Sequence, residues 1–152
     1  MKSNKFTNIF FSNTKKISDI IDKEEIENLA KSILKIKKNK GRIFFIGVGG
    51  SSANASHAVN DFRKLCEIEC YTPTDNVAEF SARINDEGWD SSFSGWLKIS
   101  KLNKKDAIFI FSVGGGNIKK NVSVNLVQSI NFAKKVGAKI FGVVGRDGGE
   151  TK

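Results

Sequence analysis

Arg42-Ile43-Phe44-Phe45-Ile46-Gly47-Val48-Gly49-Gly50-Ser51-Ser52 decides the fold. Its first five residues form a short, almost continuous apolar run without alternation. Such a run suits a strand buried on both faces, as in a parallel sheet. The run stops at glycines, and a helix is expected from about Ser52 to Leu65. Downstream the same grammar repeats: Ala107-Ile108-Phe109-Ile110-Phe111 is a second buried strand, followed by Ser112-Val113-Gly114-Gly115-Gly116-Asn117. A helix over roughly 121–136 comes next, with Gly137 suited to its C-terminal cap. Lys139-Ile140-Phe141-Gly142-Val143-Val144 is a third buried strand and ends at Gly145. Strand, glycine loop, helix and strand again make a parallel α/β sheet.

The flanks fit that frame. Asp22-Lys23-Glu24-Glu25 reads as a capping box, and Ile26, Leu29, Ala30, Ile33 and Leu34 recur at helical spacing. A helix is therefore expected over 23–38, with about one helix in the first forty residues. A short strand is expected over 67–71, then an irregular stretch with short helices to about 101. The fold class is α/β, a three-layer sandwich with a parallel sheet flanked by helices. With 152 residues the chain is read as one domain, 1–152, with 1–40 as an N-terminal helical segment. Another helix should cover the sheet after the third buried strand, yet the chain stops at Lys152. The expectation is a truncated chain or a fold completed by a partner.

Composition narrows the class. Hydrophobic residues are 39% and charged residues 27%, which excludes a disordered chain and a collagen-like one. No apolar run approaches the ~18–20 residues of a membrane span. The stretch Phe6–Phe11 is interrupted by Thr7 and Asn8 and is too weak for a signal peptide. Cys66 and Cys70 lie too far apart along a strand for a disulfide, and no second pair completes a zinc site. Buried reduced thiols and a cytoplasmic protein are expected. The net charge of +9 admits nucleic acid, an anionic surface or a small anionic substrate. The lysines are scattered and not interleaved with aromatics, which disfavours nucleic acid.

The glycine loops carry the chemistry. In Gly47–Ser52 the small residues let backbone N–H groups approach a ligand, and the following helix adds partial positive charge. Gly49, Gly50, Ser51 and Ser52 thus form a candidate phosphate cradle. Ser52 replaces the third glycine of a dinucleotide fingerprint, and no Gly-Lys-Ser/Thr follows, so a nucleotide cofactor is not expected. A second Ser-bearing loop, at Ser112, Gly114 and Gly115, ends the neighbouring strand. Ligands of open α/β sheets sit beyond such strand ends. On the helix after the first loop, His57 and Asp61 share a face with Asn54 and Lys64, while Ala55, Val59, Phe62 and Cys66 should pack on the sheet. His57 is the only histidine. Beside a carboxylate it could move protons or bind a metal, or it could simply belong to a solvated polar stripe.

Gly47 to Asp61, Asn85-Asp86-Glu87-Gly88-Trp89, Ser112 and Gly145-Arg146-Asp147-Gly148-Gly149 occur in one order and spacing. Together they resemble the sugar isomerase (SIS) domain, a flavodoxin-like fold, over roughly residues 20–152. Within that family they are most similar to phosphoheptose isomerases, which convert sedoheptulose 7-phosphate to a heptose 7-phosphate. The resemblance implies a five-stranded parallel sheet and a homotetramer with active sites between subunits. His57 matches a family histidine that can bind zinc, and Asp61 falls where a glutamate base is usual, one methylene shorter. Asp86 matches a substrate-pocket aspartate. Ser112 matches a phosphate-binding serine, whereas Val113 and Gly114 replace hydroxyl residues, for which the amides of Gly114 and Gly115 could substitute. The second loop is some six residues longer, with Ser123 and Asn125 resembling the Ser-x-Asn that starts the family's helix. A second histidine and a glutamine on the family's C-terminal helix have no counterpart here.

The resemblance therefore implies an aldose–ketose isomerase working through an enediol, with Asp61 as base and His57 as acid or metal ligand. Asp86 would orient hydroxyls, and Ser51, Ser52, Ser112 and Ser123 would bind phosphate. The product would feed heptose and surface-polysaccharide synthesis. The alternative is a non-catalytic SIS protein that binds sugar phosphates or other proteins.

Overall fold

The protein is described by a computed structural model over residues 3–152. The described residues form six α-helices and a four-stranded parallel sheet, and the chain divides into two compact units, one ending at Ile33 and one spanning Leu34–Lys152. Helix α1 (Ser3–Ile20) lies in the first unit, and α2 (Lys23–Lys38) begins there and ends in the second. Sequence reading expected about one helix here, and two form. Phe6 and Phe10, four apart on α1, stack with ring centroids 6.5 Å apart. The hydroxyls of Thr14 and Ser18 donate to the carbonyls of Phe10 and Thr14, both at 3.0 Å, and so do not break the helix. Asp22 Oδ1 accepts the N–H groups of Glu24 (2.8 Å) and Glu25 (3.1 Å), which starts α2 at the expected residue.

In the second unit the sheet runs β2-β1-β3-β4, with β1 Ile43–Ile46, β2 Cys70–Tyr71, β3 Ala107–Ser112 and β4 Lys139–Val144. All pairs are parallel. Between the strands lie α3 (Gly50–Lys64), α4 (Val77–Glu87), α5 (Ser92–Ile99) and α6 (Val124–Val136). Phe44 and Ile46 of β1 and Ile108 and Ile110 of β3 pack with Phe93, Leu97, Leu126 and Ile130 of α5 and α6. On the opposite face Phe45 meets Phe62 of α3, centroid to centroid 5.0 Å. These are the three expected layers. Both faces of β1 are buried, which explains its unbroken apolar run. On the α3 side Val143 of β4 stays 60% exposed, so that layer does not cover the β4 edge within this chain.

An ion pair fixes the amino ends of the two central strands. Asp106, 2% exposed, accepts the Arg42 backbone N–H at 2.9 Å and the guanidinium Nη2 at 2.8 Å, and also binds Asn103. The hydrogen bond to Asp106 raises the Arg42 pKa above its ordinary value, against the opposing effect of burial. The bidentate fork sets β1 and β3 level, so that their carboxyl ends finish side by side.

Four expectations need correction. The sheet has four strands among the described residues where the resemblance implied five, and β4, read as a buried strand, has no buried residue because it is the edge strand. The strand read from Glu67 begins only at Cys70, because Glu67 takes a left-handed φ of +53° and the Ile68 N–H donates to the Phe62 carbonyl, prolonging the end of α3. Cys66 was expected among the sheet-facing residues of α3. It lies beyond the last helical residue and is exposed, while Cys70 is buried.

Candidate active site

The strand order reverses between β1 and β3: β2 lies on one side of β1, and β3 and β4 on the other. Crevices at such reversals are where open α/β sheets take ligands. A cavity of about 260 Å³ opens there, with Val48, Ser51, Ser112, Gly114, Ser123 and Arg146 on its wall. Ser51 comes from the first turn of α3, Ser112 ends β3, and Ser123 immediately precedes α6. The first loop turns sharply enough to deliver Ser51 because Gly47 has no side chain; a Cβ there would overlap the Ser51 backbone.

The hydroxyls are prepared for an acceptor. Ser112 Oγ accepts the Gly115 N–H at 2.9 Å, which leaves its own proton to donate into the cavity. Ser123 sits in a left-handed conformation, φ +50°, and makes no capping bond to α6. Ser52, by contrast, donates its hydroxyl to the Gly49 carbonyl at 2.6 Å and does not line the cavity. Gly115 is also set apart: its N–H is taken by Ser112, and its Cα is pressed against the Gly148 carbonyl. Gly49 and Gly50 are open, with nothing within 4 Å of an added Cβ.

His57 and Asp61 lie further along α3, with Nε2 and Oδ2 3.3 Å apart. Their side chains are 77% and 43% exposed, and neither lines the cavity. Asp61 Oδ1 also accepts from Asn60 Nδ2 at 3.0 Å. Asp86, at the end of α4, is exposed, accepts from Asn85 Nδ2 at 2.7 Å and is not part of the cavity wall. A second hollow, of about 370 Å³, lies beyond β2 against Val59, Tyr71 and Trp96. Its charged groups are already engaged: Arg63 donates to the Cys70 carbonyl at 3.1 Å, and Asp75 accepts from Ser56 at 2.6 Å.

Among the described residues no group of three His, Cys, Asp or Glu side chains converges. His57 and Asp61 offer two donors, fewer than the three protein ligands of a catalytic zinc. The described residues do not by themselves complete a zinc site. Among the described residues no helix is long and apolar enough to cross a membrane.

Sequence reading did not assign Arg146 a role. It is the one charged residue on the cavity wall, two positions past β4 and 3.5 Å (Nη1) from where a Cβ on Gly114 would lie. Its signal was present in Gly145-Arg146-Asp147-Gly148-Gly149, but only the β3–β4 register brings it to the cavity.

Comparison with known proteins agrees with this architecture. The family model for the SIS domain matches residues 10–145. A phosphoheptose isomerase of Buchnera aphidicola subsp. Schizaphis graminum is 30% identical over 138 residues, covering 86% of this chain and 68% of the relative. The phosphoheptose isomerase of Aliarcobacter butzleri is 27% identical over 148 residues, covering 93% and 75%. The structure of phosphoheptose isomerase GmhA from Neisseria gonorrhoeae superposes with a TM-score of 0.86 at 24% identity, covering 99% of this chain and 79% of that one. With the reversed strand order, the paired glycine loops and a family match over nearly its whole length, the chain belongs to the SIS domain family.

Proposed function

We propose that this protein is a phosphosugar isomerase that interconverts the ketose and aldose forms of sedoheptulose 7-phosphate or a related sugar phosphate. The observation that carries the reading is the cavity at the ends of β1 and β3, with free hydroxyls from two glycine loops and the sole histidine on the helix that leaves it. The phosphoheptose isomerases among its relatives support the substrate class.

The chemistry follows from the residues. Ser51, Ser112 and Ser123 hold the phosphate, aided by the positive end of α3 and the Gly114 amide. Along α3, His57 lies about 9 Å and Asp61 about 15 Å beyond Ser51 at the helical rise. Helical side chains lean toward the N-terminus, so Asp61 reaches back to His57. An anchored seven-carbon sugar lays its carbonyl end along this turn. Asp61 takes a proton from the carbon beside the carbonyl while His57 protonates the carbonyl oxygen, giving an enediol. Return of a proton to the former carbonyl carbon, with loss of the other hydroxyl proton, gives the isomer. The protons taken and given balance and the substrate neither gains nor loses electrons overall, so no redox nucleotide is required.

The exposed face carrying His57 and Asp61 suits completion by another copy of the chain, and a homotetramer with shared sites belongs to this proposal. So do Asp86 as a hydroxyl-orienting residue, a cytoplasmic site of action and a heptose product destined for surface polysaccharide. The net charge of +9 draws in an anionic sugar. The test is Asp61→Asn: turnover of sedoheptulose 7-phosphate is lost while phosphate binding survives. Full isomerase activity in that variant sinks the assignment.

A second reading, a sugar-phosphate-binding protein without turnover, draws on the short Asp61 side chain and its engagement by Asn60 away from the cavity. Thermal shifts with a panel of sugar phosphates, run beside a turnover assay, separate the two. Stabilisation without turnover favours the second.

A further inference from the structure

Arg146 is placed at some conformational cost. Its φ is +54°, in the left-handed region that residues other than glycine, Asn and Asp seldom occupy. It follows Gly145, whose N–H donates to the Ser112 carbonyl at 3.0 Å. Ser112 pairs with Val144 in the β3–β4 register, so Arg146, two residues on, stands level with Gly114. Its guanidinium accordingly lies against Gly114.

The two carboxylates closest in sequence are turned elsewhere. Asp147 Oδ1 accepts the Gly149 N–H at 3.2 Å, and Glu150 Oε1 accepts the Ile118 N–H at 2.6 Å. Among the described residues no carboxylate pairs with Arg146. The cavity wall thus holds one unpaired cation beside three hydroxyls and no anion. That is the chemistry of a site for a doubly charged oxyanion, and a planar guanidinium fork matches phosphate geometry.

We infer that Arg146 is the cationic clamp of the substrate phosphate, closing over the Ser51–Ser112–Ser123 cavity from the end of β4. The inference rests on the reading of that cavity as the sugar-phosphate site. It assigns the phosphate to three strand ends rather than two. Arg146 supplies the only full positive charge on the wall, so it discriminates a phosphorylated sugar from its neutral parent.

The test uses the full chain with Arg146→Asn, because asparagine tolerates a left-handed backbone and removes the guanidinium with its charge and its donors. Inorganic phosphate, sedoheptulose 7-phosphate and unphosphorylated sedoheptulose are titrated in turn. Loss of a hydrogen bond to a charged group predicts phosphate binding weaker by about 10–100-fold. The KM for the sugar phosphate should rise by the same factor with kcat little changed, and the neutral sugar should bind as before. Arg146→Lys, which keeps the charge but loses the fork, should recover part of the affinity. Unchanged phosphate binding in Arg146→Asn overturns the inference, as does equal weakening for phosphate and neutral sugar, or a parent protein that does not bind phosphate. If the protein binds phosphate yet isomerises nothing, the isomerase reading fails alone, and the phosphate titration still decides the role of Arg146.

Discussion

The β1–loop–α3 unit and the β3–loop–α6 unit are built on one plan and finish differently. The first loop turns within Gly47–Gly49 and leads straight into α3, of which only Ala55 and Val59 are buried. The second runs from Val113 to Ser123 and folds into a small antiparallel bridge, with Asn117 and Val122 exchanging N–H···O bonds of 2.8 and 2.9 Å. Glu150 ties that bridge to the segment after β4 through the Ile118 and Gly116 backbones. Helix α6 is buried at seven of its positions, including Val124, Asn125, Leu126 and Val127 in its first turn. Identical grammar thus serves two ends. The second unit is clamped from several sides and holds hydroxyls at fixed points. The first leaves a polar helix face open, where a substrate or a second subunit can reach His57 and Asp61.

The largest difference should appear in turnover. His57→Gln removes an acid that the second unit does not duplicate, and kcat should fall by about 10²–10⁴-fold. The side chain is 77% exposed, so Tm should not move beyond the effect of an ordinary surface substitution, about 0.5 kcal/mol. Steady-state kinetics beside a thermal melt check both halves. A large drop in Tm with turnover intact would make the α3 face structural and erase the contrast.

The glycines give the next effect, in stability. Gly115 has φ +68°, and a Cβ would overlap the Gly148 carbonyl, so Gly115→Ala must displace the segment after β4. A cost of about 3 kcal/mol is expected, with weakened phosphate binding because Ser112 loses its Gly115 partner. Gly50 in the first loop meets nothing within 4 Å, and Gly50→Ala should change stability by no more than about 0.5 kcal/mol. Denaturant melts of the two variants measure the contrast directly. Equal costs would mean that the two loops are equally constrained.

This asymmetry also explains what the sequence made legible. The strands were readable because continuous apolar runs bounded by glycine need no tertiary information, and β1, β3 and β4 fall within a residue of their expected limits, although β4, read as a buried strand, has no buried residue because it lies at the sheet edge. Helix α2 was readable from Asp22 and its apolar spacing. Helix α1 was not, because Thr7 and Asn8 interrupt a stretch weighed only as a leader peptide. Ser51, Ser112 and Gly114 could be grouped in advance because strand ends converge in a parallel sheet, and Ser123 because its Ser-x-Asn resembles the family's helix start. The rest depended on hydrogen bonds between groups whose neighbours only the fold supplies. Ser52 turns to the Gly49 carbonyl, Gly115 gives its N–H to Ser112, and Arg146 enters the cavity wall through the β3–β4 register.

The smallest effect reads the firmness of the β1–loop–α3 side through the two thiols that follow α3, since the β3–loop–α6 side has none. Cys66 is exposed just past α3, whereas Cys70 is buried where β2 pairs with β1 through Ile43. Desolvation by burial pushes the Cys70 thiol up from an ordinary 9.0 to about 12. An aromatic disulfide reagent should therefore modify one thiol at once and the other only as β2 opens, at a rate that reports local opening. The same burial fixes the direction of a pH effect. In the unfolded chain Cys70 ionises near 9.0, while the folded thiol keeps its proton to about 12. Its contribution to stability is thus complete below pH 9 and is lost as pH climbs toward 12, by up to about 1.4 kcal/mol per unit. Comparing Cys70→Ala with the parent across that window isolates this slope. If both lose stability in parallel, Cys70 ionises as freely in the folded chain as in the unfolded one. The open character of the first unit would then extend from the α3 face down to the sheet edge.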